Sequence, residues 1–219
     1  MILPGLGSRG GKKALLAGAL DIAFVAEPPS PSEQHHGLIA REIARTPFVF
    51  ATATSNAVSD MTLQQVIHAY AGQMLTWPDG TRLRVILRPE GDTDTQTLRA
   101  ISPEMSRAVD TAYARPGLIV AATDQDAAQA LEKTPGGFGT TTLALIVGEQ
   151  RALKALSIGG VPPTPKSIDD GSYPYFKPLC IVTRGTPSPL AQRFLAFVRS
   201  CAGRQILARL GYWVPRPTA

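Results

Sequence analysis

The sequence predicts an α/β fold. Three observations carry that prediction. Short apolar runs suited to strands alternate with amphipathic stretches suited to helices along the whole chain. Several of the helical stretches carry their own start and stop residues. No internal repeat, low-complexity tail or Pro/Gly/Ser linker interrupts the alternation. Such an alternation argues for mostly parallel sheets.

Near the N-terminus a Gly-rich stretch (Gly5, Gly7, Gly10, Gly11) leads into a helix over 9–18, with Ser8 as its N-cap. LDIAFV (20–25) reads as a short buried strand. AEPPSPSEQHHG (26–37), broken by prolines, reads as a loop. GLIAREIA and PFVFAT read as strands. MTLQQVIHAYAG (61–72) is an amphipathic helix: Leu63, Val66, Ile67 and Tyr70 fall at helical spacing, and Gly72 stops it.

WPDGT is a turn and RLRVILRP (82–89) a strand. A helix opens at Asp92 or Thr93, and a second runs from Pro103 to Ala114. TDQDAAQALEKTPG is a capped helix ended by Pro135 and Gly136. TTTLALIV and ALKALSI read as strands, TPKSIDDG as a short helix and PLCIVTRG as a strand. SPLAQRFLAFVRSCAGRQILARLG makes one or two closing helices. With two lobes, strands must cross between them, and PFVFATAT and FKPLCIVTRG are the candidates.

Composition narrows the function classes. A chain of 219 residues can bury one large core or two small ones. Hydrophobic residues make up 44% and charged residues 18%, ordinary values for a globular protein. No apolar run reaches the roughly 18 residues of a membrane span. No basic stretch followed by an apolar core marks a signal peptide. The net charge of +5 is dispersed, without the basic runs of a nucleic-acid binder. Cys180 and Cys201 lack metal-like spacing and are either free thiols or one disulfide.

Two loops have the chemistry of an anion cradle. In GLGSRGG, glycines let the backbone approach a ligand, and the following helix presents unpaired N–H groups and a positive dipole end. Ser8 adds a hydroxyl and Arg9 a charge. The same residues also suit a tight connection with no ligand. It is not a nucleotide P-loop, because the terminal Gly-Lys-Ser/Thr is missing. In LRPEGDTDT (87–95), Arg88 is a fork for a tetrahedral oxyanion, the helix start supplies amides, and Thr93 and Thr95 stand nearby. Glu90 can accept a proton from a partly protonated anion. The plainer reading is a capped helix beside a surface arginine. Asp92 and Asp94 would repel a dianion unless they turn away as caps. A third stretch, TPGGFGTTT (134–142), reads better as a turn into a strand than as a hydroxyl-lined loop.

Catalytic and metal readings find little support. His35 and His36 are adjacent in a Pro-rich segment, and His68 lies on a helix. No Cys or His cluster has zinc spacing, no G-x-S-x-G elbow is present, and no nucleophile–base–orienter set emerges. No cofactor, metal site or enzymatic activity is expected.

Taken together, GLGSRGGKKALLAGALDIAF, SDMTLQQVIHAYAGQMLTWPDG, RVILRPEGDTDT, GGVPPTPKSIDDGSYPYFKPLCIVTRG and the closing SPLAQRFLAFVRSCAGRQILARLGYWVP resemble the phosphate-type substrate-binding proteins of bacterial ABC transporters. The resemblance covers nearly the whole chain and implies a two-lobe, type 2 periplasmic-binding-protein fold. In that fold two crossing strands join the lobes, and hinge closure traps an anion between them. Lobe 1 would comprise 1–52 and 180–219, and lobe 2 would comprise 53–179. The ligand-binding residues implied are Gly7, Ser8, Arg9 and Gly10 in the first lobe. In the second they are Arg88, Glu90, Asp92, Thr93 and Asp94, with Glu90 taking the proton of hydrogen phosphate.

The chain departs from the family pattern at three points. Ala26, followed by Glu27, stands where an aspartate is expected after LDIAF. Asp92, Thr93 and Asp94 replace a Ser-Gly-Thr run. The family's first strand, ligand loop and helix would precede Leu3, so the first lobe is expected to be incomplete. An open sheet edge then favours lower stability, a homodimer, or a partner strand that fills the gap.

The leading expectation is a periplasmic binding component that captures phosphate or a similar oxyanion for a membrane permease. The alternative is a sensory or interaction protein that keeps the fold without tight anion binding.

Overall fold

The computed structural model describes residues 6–216. In chain order the elements are α1 (Gly7–Leu16), β1 (Ile22–Val25), α2 (Pro31–His35), β2 (Leu38–Ala53), β3 (Asp60–Met61), α3 (Leu63–Ala71) and β4 (Arg84–Leu87). Then come α4 (Thr93–Ile101), α5 (Pro103–Ala114), β5 (Ile119–Val120), α6 (Asp124–Lys133), β6 (Gly137–Thr142) and α7 (Leu143–Gly148). The chain closes with β7 (Leu153–Ala155), β8 (Ser157–Ile158), α8 (Pro165–Asp169), β9 (Phe176–Arg184), α9 (Pro189–Arg199) and α10 (Cys201–Arg209). They form two compact units. One takes the chain up to Thr46 and again from Phe176, and the other takes Pro47–Tyr175.

In the first unit the strand order is β1, β9 and then the first part of β2. β1 runs antiparallel to β9, with Phe24 opposite Ile181 and Val25 opposite Cys180. Alternation along β9 divides its two faces. Cys180 and Val182 pack with Leu15, Ala23, Val25 and Leu38 on the side of α1. Ile181 packs with Ile43, Leu195 and Val198 on the side of α9. Gly11 sets how closely α1 approaches β1, because a Cβ there would stand 3.2 Å from that of Ala23. Arg45 and Trp213 exchange backbone hydrogen bonds of 2.9 and 2.7 Å. The Arg45 guanidinium also lies 4.6 Å over the Phe176 ring, a cation–π contact.

In the second unit the order is β2, β6, β4, β5, with β7 on the other side of β2. β2 is antiparallel to β6 and β7, whereas β4 is parallel to both β6 and β5. The sheets are therefore mixed rather than mostly parallel. β3 and β8 form a separate parallel pair. The core is aromatic: Phe50 stacks on Phe138 at 6.1 Å, and Trp77 meets Phe138 edge-on at 5.7 Å. The buried Trp77 indole N–H donates to the Gly136 carbonyl, so its polar atom is satisfied.

Four local expectations need correction. The segment over 26–37 contains α2, started by a capping box in which Ser30 and Glu33 bond each other's backbone N–H, with Pro31 in its first turn. GLIAREIA and PFVFAT are one continuous strand, β2, of 16 residues. TTTLALIV splits at Thr142, whose hydroxyl caps α7, so its apolar half is helix. Ser8 is not the N-cap of α1: Leu6 holds that position, without a side-chain cap. Cys180 and Cys201 are free thiols, the first buried and the second exposed.

Candidate functional site

The first group of expected ligand residues opens α1. That helix start has no side-chain cap and no acidic residue in its first turn, so its amides and positive dipole end are not neutralised locally. Ser8 Oγ accepts the Ala26 N–H at 3.0 Å, which ties the end of β1 to α1. Among the described residues the Ser8 hydroxyl donates to no other group. Arg9 is exposed. Gly10 has no room to spare, because a Cβ there would meet that of Leu6 at 3.0 Å. One turn on, the buried Lys12 pairs with Glu33 at 3.0 Å and Glu27 at 3.8 Å. Glu27, which follows the alanine found in place of the family aspartate, is thus engaged with Lys12.

The second group surrounds Arg88, just past the carboxyl end of β4. Parallel pairing sets Leu87 beside Val120 of β5. The residues following those two strands therefore meet, as they do at the carboxyl ends of other parallel strands. Arg88 is 6% exposed. Its Nη1 donates to the Ala121 carbonyl at 2.8 Å. Its Nη2 lies 3.0 Å from Asp92 Oδ2 and 3.0 Å from Asp124 Oδ1. Its Nε is buried without a partner among the described residues. The Arg88 carbonyl is held in turn by the hydroxyls of Thr95 and Tyr113. Burial raises the Tyr113 pKa, offset in part by its hydrogen bond to Thr95 and raised further by Glu90. Tyr113 therefore stays a neutral donor at ordinary pH.

The acidic residues do two jobs here. Asp92 is the N-cap of α4: its Oδ1 accepts the Asp94 N–H at 2.9 Å while Oδ2 faces Arg88. Asp94 is almost fully buried, and its carboxylate, that of Asp92 and that of Asp124 approach within 4.8 Å of one another. Three carboxylates with oxygen ligands at that spacing are of the type that holds a hard cation. The cation that two of them face in the structure is Arg88. Glu90 is exposed on the same loop, and Thr93 is half-buried at the first position of α4.

The third stretch is a turn. Gly136 has a φ of +70°, and a Cβ there would fall 2.1 Å from the Arg82 carbonyl oxygen. Its own carbonyl accepts from Trp77 and from the Arg84 N–H.

Residues 3–201 match the family described as the PBP superfamily domain. The chain belongs to the PBP superfamily. It is 22% identical over 171 residues to the phosphate-binding protein PstS of Bacillus subtilis (strain 168), a match that takes in 74% of this chain and spans 53% of that relative's length. A candidate phosphate ABC transporter substrate-binding protein from Clostridium perfringens, solved with bound phosphate, is similar at a TM-score of 0.79 and 20% identity. That match covers 96% of this chain and 86% of the other. An ABC-type phosphate transport receptor from Vibrio cholerae is similar at a TM-score of 0.65 and 20% identity, over 96% and 86% of the two chains. The fold is thus the type 2 periplasmic-binding-protein fold expected from the sequence.

As a PBP superfamily member, the chain distributes the expected residues unevenly. Gly7, Ser8, Arg9 and Gly10 share one helix start in the first unit. Asp92, Thr93 and Asp94 share one helix start in the second, with Arg88 and Glu90 on the segment between β4 and it. Sequence reasoning missed Asp124, the acidic residue that opens α6, and the Ala121 carbonyl. The signal was weak: TDQD reads as an ordinary helix cap. Only the parallel pairing of β4 with β5 brings it beside Arg88.

Proposed function

We propose that this PBP superfamily member is the substrate-binding component of an ABC transporter that captures phosphate or a similar tetrahedral oxyanion. One observation carries the reading. Arg88, a buried guanidinium at the carboxyl end of a parallel strand and the mouth of α4, keeps an Nε unpartnered among the described residues. Its neighbours are the kind that position an arginine fork for an oxyanion. The names of the similar proteins support phosphate as the anion. The contacts we assign to it are Gly7, Ser8, Arg9 and Gly10 through amides, hydroxyl and charge, and Arg88, Thr93 and the α4 amides. Glu90 is the acceptor for the proton of hydrogen phosphate, and Asp92 and Asp94 belong to the same helix start. Such an acceptor favours hydrogen phosphate over sulfate, which has no proton to give at neutral pH. The module would pass its cargo to a membrane permease from the periplasm, by binding and release without turnover. Self-association would use the open backbone edge of β1, the outer strand of its sheet among the described residues.

Isothermal titration calorimetry against phosphate, sulfate, molybdate and an organic acid tests this. Heat with phosphate and little with sulfate is expected. No heat and no thermal shift with any of these anions removes the reading.

A second reading is favoured by the same arginine. Both Arg88 terminal nitrogens are already engaged, by Ala121, Asp92 and Asp124. That arrangement suits a sensory or interaction protein that kept the fold and gave up tight anion binding. Arg88→Ala would then leave biological activity intact, whereas a transport component would lose uptake.

A further inference from the structure

The first unit contains a pocket unrelated to the residues above. Along β2, Ile39, Arg41 and Ile43 share one face by the period-two rule, and along β9 Ile181 and Thr183 share the same one. α9 covers that face at Ile43 and Ile181 through Leu195 and Val198. Beyond them, toward Ile39 and Arg41, a hollow of about 470 Å³ is left between the sheet and α9. Its apolar wall is Ile39, Ile181 and Leu195, and its polar groups include Arg41, Arg199 and Thr183.

Charge makes this hollow unusual. Among the described residues no acidic side chain lines it. Neither guanidinium has an ion-pair or hydrogen-bond partner among the described residues, and the nearby Glu42 is taken by Arg45 at 2.5 Å. Arg199 lies in the last turn of α9, where a cation also suits the helix dipole. Arg41 has no such compensation. The Thr183 hydroxyl likewise has no partner among the described residues. Two unpaired forks and a free hydroxyl therefore gather at an apolar wall, in a space of the size that takes a small organic ligand.

We propose that this pocket binds a small amphipathic organic anion. Its anionic groups would be taken by Arg41 and Arg199, and its carbon skeleton would lie on Ile181, Leu195 and Ile39. The site lies wholly within one unit and is independent of Arg88 and of the oxyanion reading.

Phthalate, an aryl dicarboxylate with no tetrahedral oxyanion, is the probe, and its uncharged dimethyl ester is the control. Backbone amide NMR spectra of the full chain should show phthalate moving the Thr183 and Ala196 signals. The double variant R41A/R199A should weaken that binding at least about tenfold. Its affinity for inorganic phosphate, and the phthalate affinity of Arg88→Ala, should be unchanged. If the double variant loses cooperative unfolding, Arg41→Gln and Thr183→Val are used singly, each expected to weaken phthalate about threefold. The proposal is overturned if phthalate moves neither signal at about 10 mM, or if the ester moves them equally. It is overturned also if the folded arginine variants bind phthalate as the parent does.

Discussion

Asp124 reaches Arg88 at 3.0 Å, across the gap between the ends of two neighbouring parallel strands. With Asp92 at the same distance on the same nitrogen, the arginine that should meet an anion is already met by two carboxylates. An incoming phosphate would have to share or displace them. On the proposed reading, affinity would be set as much by how tightly the carboxylates hold Arg88 as by how well Arg88 fits the ligand.

Asp124→Asn should accordingly tighten phosphate. Asp124 is nearly half exposed, so its pairing contributes little to folding once solvent screening is allowed for. Removing its charge frees one side of Nη2 and lowers the negative field at the site. Calorimetry should show affinity rising severalfold, with a thermal midpoint close to that of the parent. Unchanged or weaker binding would mean that Asp124 does not compete.

Arg88→Ala should abolish phosphate binding and also destabilise the second unit. It leaves the Ala121 carbonyl without its donor and Asp92 and Asp124 without their cation. The cost is about 2–3 kcal/mol, with partial exposure of Asp92 and Asp124 keeping it below the value for a fully buried pair. Urea unfolding of the variant measures this. Arg88→Lys should restore some stability but not the two-nitrogen geometry.

Gly136→Ala should be among the most damaging single-methyl additions. The backbone there is left-handed, and the new Cβ would lie 2.1 Å from the Arg82 carbonyl oxygen. A loss of about 2–4 kcal/mol is expected, because a backbone oxygen cannot step aside as a side chain can. The Trp77 emission spectrum should shift as well, since the indole donates to the Gly136 carbonyl.

Glu33 offers a pH test. Burial pushes its carboxyl up, but the Ser30 N–H and the Lys12 ammonium outweigh that, and its pKa lies below the ordinary glutamate value. A carboxyl with a lowered folded pKa stabilises fully above its unfolded value and loses that contribution as pH falls through the lowered one. Side-chain NMR titration should place Glu33 below the ordinary glutamate value. Lys12→Met should move it upward and narrow the acid range over which the first unit stays folded.

How much of this could be read from the sequence depended on whether the signal was local. Thr62 and Gln65 form a reciprocal cap, and Gly72 closes α3 as its position suggested. Asp92 likewise capped α4 as its spacing implied. The prolines around Ser30 concealed a helix start because Pro within the first turn is as much a helix opener as a breaker. LALIV is too short for its period to tell strand from helix, and the Thr142 cap decided it. Asp124 was out of reach for a different reason. Its link to Arg88 is made by strand pairing, which no window of sequence displays.

Thr46 and Pro47, where the two units part, both lie within β2, a hydrogen-bonded strand, and not in a slack tether. Adding or deleting a single residue there would turn every later side chain of the strand to the opposite face. Phe48 and Phe50 would leave the aromatic core, and neither piece could be excised cleanly at that seam. Gene fusions, permuted termini or separate expression of either piece are better placed at exposed turns such as the one around Gly80.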